Sequence, residues 1–252
     1  MSGMPEASCA RPVCADHADP GIDPGTRAVV PGVTDAIKID VWSDIACPWC
    51  YIGKRNLEKG LAETASDADA PAVEVTYHSF ELSPDTPVDF EGDELDFLAG
   101  HKGMPRERVS EMLENVTGVA ANAGLEYRFD LLQHTNTVKA HELLHFAKAQ
   151  GAQLPMAERL MAAYFTEGRH VGRVDDLVDL AGEAGLDADA AREALESGQY
   201  LPAVRADQAQ AEAYGIQGVP FFVIDGKYGV SGAQPPEAFA QIARQVWGEK
   251  QA

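Results

Sequence analysis

Apolar and polar residues alternate in two short stretches near the start of the chain, at 37–41 and 73–77. This alternation is typical of strands with one buried face. Between them a helical pattern starts immediately after Cys47 and fades near 60–66. Its apolar stripe holds Cys50, Leu57 and Leu61. The sequence therefore predicts a strand–helix–strand unit.

A long helical region is predicted next, from about residue 105 to about residue 200. Two helical faces are visible in it, one formed by Ala140, Leu143, Leu144 and Ala147 and the other by Val174, Leu177, Val178 and Ala181. Gly185 is expected to end a helix, Asp187 to cap the next, and Gly198 to stop that one. The acidic stretch 85–96 before this region is interpreted as a solvated loop.

The last part of the chain returns to a mixed pattern. Pro202 opens a predicted helix that ends at Gly215, and the apolar run 221–224 is typical of a buried strand. Asp225-Gly226 indicates a hairpin to a strand at 227–230. Pro235-Pro236 starts a final helix with Phe239, Ile242, Ala243 and Val246 on its buried face. The predicted order is β-α-β, a helical insertion, then α-β-β-α.

Composition narrows the class of protein. The chain has 252 residues, is 45% hydrophobic and carries a formal charge of −20. That charge argues against nucleic-acid binding, which needs a cationic face. Residues 1–36 hold five prolines without periodicity and are interpreted as a flexible leader before a domain at 37–252. With no secretory signal and no run of about 18 apolar residues, we expect a cytoplasmic protein without a membrane partner.

The most informative motif is Cys47-Pro48-Trp49-Cys50, directly between a predicted strand and a predicted helix. Residues three apart lie on the same side of a helical turn, so the two sulfurs can meet. The first cysteine lies where backbone N–H groups are unpaired and the helix dipole is positive, which favours the nucleophilic thiolate. The pattern is typical of thioredoxin-type redox sites.

Other residues leave alternatives open. A structural zinc site that adds Cys9 and Cys14 is arithmetically possible, although the helical context favours redox chemistry. Cys9 and Cys14 are interpreted either as an accessory redox pair that exchanges with Cys47 and Cys50 or as two unpaired thiols. Asp44 is interpreted as tuning Cys47 or as a solvated loop carboxylate.

The stretch His141-Glu142-Leu143-Leu144-His145 matches H-E-x-x-H, in which two histidines bind zinc and the glutamate acts as a base. No further signature supports a metallopeptidase. The histidines are therefore interpreted as core or groove residues of an amphipathic helix, and no metal site is predicted.

Three ordered patches carry a resemblance to a known family. They are SDIACPWCYIG at 43–53, NT followed by AH and LLHF at 136–146, and GIQGVPFF at 215–222 with VSGAQ after it. Over about residues 37–248 the chain resembles the DsbA-like thioredoxin-fold oxidoreductases, specifically the FrnE type. The resemblance implies a thioredoxin fold of class α/β with a large all-helical insertion.

The resemblance also implies roles for particular residues. Cys47 would be the attacking thiol and Cys50 the resolving thiol, with Pro48 and Trp49 tuning them. Val219-Pro220 would be a cis-proline loop that faces the sulfurs and pairs with an extended substrate.

The implied function is thiol–disulfide exchange, as a protein disulfide reductase or isomerase. No cofactor is expected beyond the redox-active Cys47–Cys50 disulfide and a low-molecular-weight thiol. Expected partners are disulfide- or thiol-containing proteins or small thiols, and the chain is expected to be a monomer or homodimer. One alternative is a glutathione-dependent isomerase or transferase of the kappa type, with Asn136 facing a small thiol. Another is a redox-regulated binding or chaperone module.

Overall fold

Four strands form one mixed sheet in the computed structural model, which describes residues 36–65, 70 and 72–252. β1 (Ile37–Ser43) pairs in parallel with β2 (Val73–Ser79). β3 (Phe221–Ile224) runs antiparallel to β1, and β4 (Tyr228–Ser231) runs antiparallel to β3. The sheet order is β2-β1-β3-β4. Cys9 and Cys14 of the predicted leader lie outside the described residues.

The helices complete the predicted order. They are α1 (Pro48–Thr64), α2 (Glu94–Lys102), α3 (Arg106–Asn122), α4 (Val138–Ala149), α5 (Gln153–Phe165), α6 (Val174–Glu183), α7 (Ala188–Ser197), α8 (Leu201–Ala213) and α9 (Pro236–Lys250). Six of them, α2 to α7, lie between β2 and the second half. The predicted thioredoxin fold with a large helical insertion is confirmed. Among the described residues, no helix is both long and apolar enough to cross a membrane.

Local signals set several element ends where the sequence predicts them. The Asp187 carboxylate accepts the Ala190 N–H at 2.9 Å and caps α7, and Gly198 ends that helix with φ of 67°. Asp225 and Gly226 have φ of 54° and 67°, as a tight hairpin between β3 and β4 requires.

Helix α2 is a difference from the sequence-based expectation, because it begins inside the acidic stretch 85–96. Asp93 accepts the Asp96 N–H at 2.7 Å, and Asp96 accepts the Asp93 N–H at 3.3 Å. This reciprocal cap satisfies backbone donors at the start of the helix. Only Glu94 is buried in α2, so the helix has no apolar stripe that a periodicity search could find.

The core has two main parts, one on the two faces of the sheet and one within the helical insertion. On one face of the sheet, alternate residues of β1 pack against α1 and α9, with Ile39, Leu57 and Phe239 among the buried side chains. On the other face, Trp42 packs against Ala211 of α8. A second, helical core fills the insertion and includes both Cys47 and Cys50. The start of α1 is therefore buried between the sheet unit and the insertion.

A side chain from the insertion closes one edge of the sheet. The Gln153 amide of α5 donates to the Tyr77 carbonyl at 2.8 Å and accepts the Tyr77 N–H at 3.0 Å. Among the described strands β2 is one of the two outer ones, and these two bonds occupy main-chain groups of its Tyr77.

Helices α1 and α9 approach each other closely at Gly60. A Cβ atom at this position would lie 2.4 Å from the Pro236 carbonyl oxygen and 2.9 Å from Phe239 Cβ. Neither atom is the end of a flexible side chain, so the helices would have to separate.

We predict that Gly60→Ala lowers the free energy of unfolding by about 1–3 kcal/mol, because overpacking forces backbone shifts. Chemical denaturation measures this change. The matched control is Gly118→Ala in α3, where a Cβ meets nothing within 4 Å and helix propensity favours alanine. A Gly60 variant as stable as the Gly118 variant would contradict this packing.

His78 of β2 lies between two carboxylates. Its Nδ1 is 2.8 Å from Asp207 Oδ1 and its Nε2 is 2.8 Å from Asp40 Oδ1, while its ring stacks on Trp42. Burial alone would lower the pKa of His78, but the hydrogen bonds to Asp207 and Asp40 raise it above its usual value. The charged imidazole is therefore more favourable in the folded than in the unfolded chain.

This raised pKa predicts a pH-dependent contribution to stability. The contribution is fully present below the unfolded pKa of about 6.5 and is lost as pH rises through the folded pKa. We expect His78→Gln to cost about 2 kcal/mol at pH 6 and much less at pH 9. Denaturation of both proteins at the two pH values checks this, and a cost independent of pH would count against a charged His78.

Candidate active site

The two cysteines of the motif lie at the start of α1. Cys47 is the N-cap residue, Pro48 occupies the first turn, and the Cys50 N–H donates to the Cys47 carbonyl at 3.0 Å. Both cysteines are free thiols. The predicted position of the pair at a helix N-terminus is confirmed.

The two thiols have different surroundings. Cys47 lines a cavity of about 390 Å³, whereas Cys50 is 1% exposed and is not part of the cavity wall. Burial raises the pKa of the Cys50 thiol well above its usual value, and the neighbouring Cys47 raises it further. The Ser43 hydroxyl and the Asp44 N–H lower this pKa by smaller amounts. Cys50 is therefore protonated at neutral pH, and of the two cysteines only Cys47 lines the cavity.

The third of the sequence patches, at 215–222, also lies next to Cys47. The Val219–Pro220 peptide bond is cis, as the resemblance implies, and Cys47 Sγ donates to the Val219 carbonyl at 3.6 Å. A Cβ at Gly53 would lie 3.0 Å from Pro220 Cγ, so glycine lets α1 approach the proline ring. The structure thus brings the Cys47–Cys50 segment and the Val219–Pro220 loop together.

Much of the cavity is apolar. Trp49, Leu82 and Met112 lie in its wall and are 41%, 44% and 37% exposed, respectively. Helices α2 and α3 add Phe97, Leu98, Leu113 and Val116. Sequence reasoning missed these wall residues, because nothing in the local pattern of α2 or α3 points to Cys47.

Basic side chains lie along the part of the cavity wall that α2 forms. His134 Nδ1 is 2.8 Å from Glu94 Oε2, and its ring stacks on Phe97 at a centroid distance of 3.3 Å. His101 and Lys102, in the last turn of α2, also line the cavity. The wall therefore holds the basic residues His134, His101 and Lys102 together with the carboxylates of Asp44 and Glu94.

Asp44 is not the solvated loop carboxylate that was one interpretation of the sequence. It is 2% exposed and accepts the Leu82 N–H at 2.7 Å and the Ala46 N–H at 3.3 Å. His141 Nε2 lies 3.4 Å from its Oδ1 atom. Burial alone would raise the pKa of Asp44, but His141 and the Leu82 N–H lower it below its usual value. The carboxylate is therefore ionised at neutral pH beside the dithiol.

The H-E-x-x-H side chains of α4 point to three different partners. His141 faces Asp44, His145 Nε2 lies 3.0 Å from Asp207 Oδ2, and Glu142 forms an ion pair with Lys139 at 2.9 Å. Within the described part of the chain, no group of three or more His, Cys, Asp or Glu side chains could hold a metal ion. The interpretation as buried helix residues fits this arrangement.

Asn136 does not line the cavity, unlike its neighbours Thr135 and Thr137. Its amide donates to the Pro84 carbonyl at 2.9 Å and accepts the Val138 N–H at 2.9 Å. These bonds hold the loop before α4.

Tyr127 is a further residue that sequence reasoning missed. Its hydroxyl donates to the Pro48 carbonyl at 2.6 Å, and its ring stacks on Phe165 at 4.7 Å. Burial, with the nearby Cys47 and Tyr51, raises the pKa of Tyr127, so the hydroxyl remains a donor. This bond ties the insertion to the first turn of α1.

A mixed four-stranded sheet, two thiols at the start of its first helix and a cis-proline loop against them define a thioredoxin-fold dithiol protein. The chain belongs to the family of the DSBA-like thioredoxin domain, whose model matches residues 38–243. The matched segment contains both cysteines and Val219–Pro220.

The chain is also similar to individual proteins. The uncharacterized protein YwbO of Bacillus subtilis is 31% identical over 209 residues, which are 81% of this chain and 94% of that protein. The crystal structure of a probable DsbA oxidoreductase from Streptomyces coelicolor is 41% identical, with a TM-score of 0.78 over 84% of this chain and 91% of that one. The cytosolic disulfide reductase DsbM from Pseudomonas aeruginosa shares the fold at 20% identity, with a TM-score of 0.58 over 85% of this chain and 100% of that one.

The hydrogen bond from the Tyr127 hydroxyl to the Pro48 carbonyl can be tested by mutation. Tyr127→Phe should lower the free energy of unfolding by about 1 kcal/mol, because a buried hydrogen bond is lost while the ring is kept. Chemical denaturation measures the change. The control is Tyr214→Phe, which removes a hydroxyl from a ring that is 55% exposed. Equal stability of the two variants would show that the bond to Pro48 contributes nothing.

Proposed function

We propose that this protein catalyses thiol–disulfide exchange on protein substrates as a disulfide reductase or isomerase. The observation that carries the proposal is the unequal placement of the two thiols. Both thiols are buried, but Cys47 lines a cavity at a helix N-terminus, whereas Cys50 does not line it and has a raised pKa. Cys47 can therefore react with the substrate first, and Cys50 can react with Cys47 afterwards.

In the reducing direction, the Cys47 thiolate attacks one sulfur of a substrate disulfide. The substrate S–S bond breaks, its other sulfur leaves as a thiolate that takes up a proton, and a Cys47–substrate disulfide forms. Cys50 then loses its proton and attacks Cys47 Sγ, which releases the second substrate sulfur. Two electrons pass to the substrate, and an external thiol returns the Cys47–Cys50 disulfide to the dithiol.

The cavity wall supports a polypeptide substrate. Trp49, Leu82 and Met112 offer partly exposed apolar surface beside the nucleophile. In the proposal, the backbone of Val219 pairs with an extended segment of the substrate, and Pro220 packs against the sulfurs. Pro48 and Trp49, between the cysteines, tune the stability of the thiolate.

Family membership supports the oxidoreductase class, and the relative with 41% identity is described as a probable DsbA oxidoreductase. The finer assignment to the FrnE type and to the cytoplasm is part of the proposal. A reducing compartment favours reductase or isomerase work over net oxidation. The partners are disulfide-containing proteins, with a low-molecular-weight thiol as the electron donor.

The proposal predicts different effects for the two cysteines. With dithiothreitol as donor, the wild type should accelerate insulin reduction, and Cys47→Ser should abolish the acceleration because the nucleophile is lost. Cys50→Ser should accumulate a Cys47–insulin disulfide, because no buried thiol releases the substrate. Turbidity and mass spectrometry of the trapped adduct measure these outcomes.

The matched control is the double variant Cys9→Ser/Cys14→Ser, which makes the same substitution outside the motif and should retain insulin reduction. A requirement for added glutathione, with activity that survives Cys50→Ser, would indicate the kappa-type alternative. Suppression of aggregation without turnover, unchanged by Cys47→Ser, would indicate a chaperone module.

A further inference from the structure

Asp44 places a negative charge in the wall of the cavity that Cys47 also lines. It precedes Cys47 by three residues, lines the same cavity and accepts two backbone N–H groups. Its carbonyl also accepts the Cys47 N–H at 3.2 Å, so the two residues share one turn. A buried carboxylate this near opposes the formation of a Cys47 thiolate, because like charges disfavour each other in a poorly solvated site.

His141 is the cation-forming group that faces this carboxylate. Both side chains are almost fully buried, with exposures of 1% and 3%, and Nε2 lies 3.4 Å from Asp44 Oδ1. Within the described residues, neither ring nitrogen of His141 has a hydrogen-bond partner. A buried polar ring without other bonds is costly, and an ionised Asp44 next to it supplies its compensation.

The other charged and titratable groups around Cys47 do not replace this contact. They are Cys50 and Tyr127, the Glu94–His134 pair, and His101 and Lys102 of α2. Glu94 and His134 already bond each other at 2.8 Å. His101 and Lys102 of α2 also line the cavity. The Asp44 carboxylate is hydrogen-bonded by the Leu82 and Ala46 N–H groups and by Thr137, and His141 is the basic side chain paired with it.

We propose that His141 is a positioning residue for the dithiol: its imidazolium balances the Asp44 carboxylate, so that this buried anion does not oppose the Cys47 thiolate. The inference rests on the proposed function, since it concerns how readily Cys47 becomes a nucleophile. It also explains why the patches at 43–53 and 136–146 meet in the fold. His141 comes from the second patch and acts through Asp44 of the first.

The test is the rate of Cys47 alkylation by iodoacetamide in the reduced full-length chain, measured against pH by peptide mass spectrometry. His141→Gln leaves the Asp44 charge unbalanced. It should move the midpoint of the pH profile up by about one unit, which is about a tenfold slower reaction near neutral pH. Asp44→Asn removes the opposing charge and should not slow alkylation.

The double variant His141→Gln/Asp44→Asn gives the sharpest prediction. The effect of losing His141 should disappear in the Asp44→Asn background, because no anion remains to be balanced. The control is His170→Gln, a buried histidine that bonds the Val88 carbonyl and the Gly172 N–H. This control should leave the alkylation profile unchanged.

Two results would overturn the inference: an unchanged profile in His141→Gln, or an equal slowing in both backgrounds. If His141→Gln does not fold, the alkylation rate of Cys47 in Asp44→Asn is the test. Slower alkylation in that variant would contradict the idea that the Asp44 carboxylate opposes the thiolate. Alkylation needs neither a substrate nor turnover. A wild type that fails to reduce insulin but shows the predicted profiles would refute the proposed function and leave the charge balance standing.

Discussion

One turn of helix has to hold two thiols in unequal environments, and the rest of the structure depends on this constraint. Cys47 lies at the start of α1, where backbone N–H groups are unpaired and the helix dipole is positive. Burial raises the pKa of Cys50 and keeps its thiol protonated. The burial of Cys50 does not come from the sheet unit alone, because both cysteines pack in the core that the insertion helices form.

The insertion supports the dithiol through a few specific contacts. Tyr127 bonds the first turn of α1, and His141 faces the carboxylate beside it. Helix α2 is attached through the contact of Glu94 with His134 and lines part of the cavity. The insertion is thus both a structural support for α1 and a part of the cavity wall beside Cys47.

Most of the fold could be predicted from the sequence because its signals are local. Asp187, Gly198 and the Asp225–Gly226 turn act within a few residues of their own positions. Helix α2 could not be found, since a single buried residue gives no periodicity. The cysteines of the site were evident from their spacing. The burial of Asp44 was not, because it depends on Leu82 and His141, which lie far away in the sequence.

The Gln153 amide has a consequence for how this protein associates with other chains. An outer strand presents unpaired main-chain groups on which a second polypeptide can assemble. The Gln153 amide makes the two hydrogen bonds to Tyr77 that an added strand would make. These main-chain groups of β2 are therefore not free to pair with another chain. The opposite border, β4, has only four residues. Both outer strands of the described sheet therefore offer little main chain for another polypeptide to pair with, which reduces the risk of aggregation through the sheet edge.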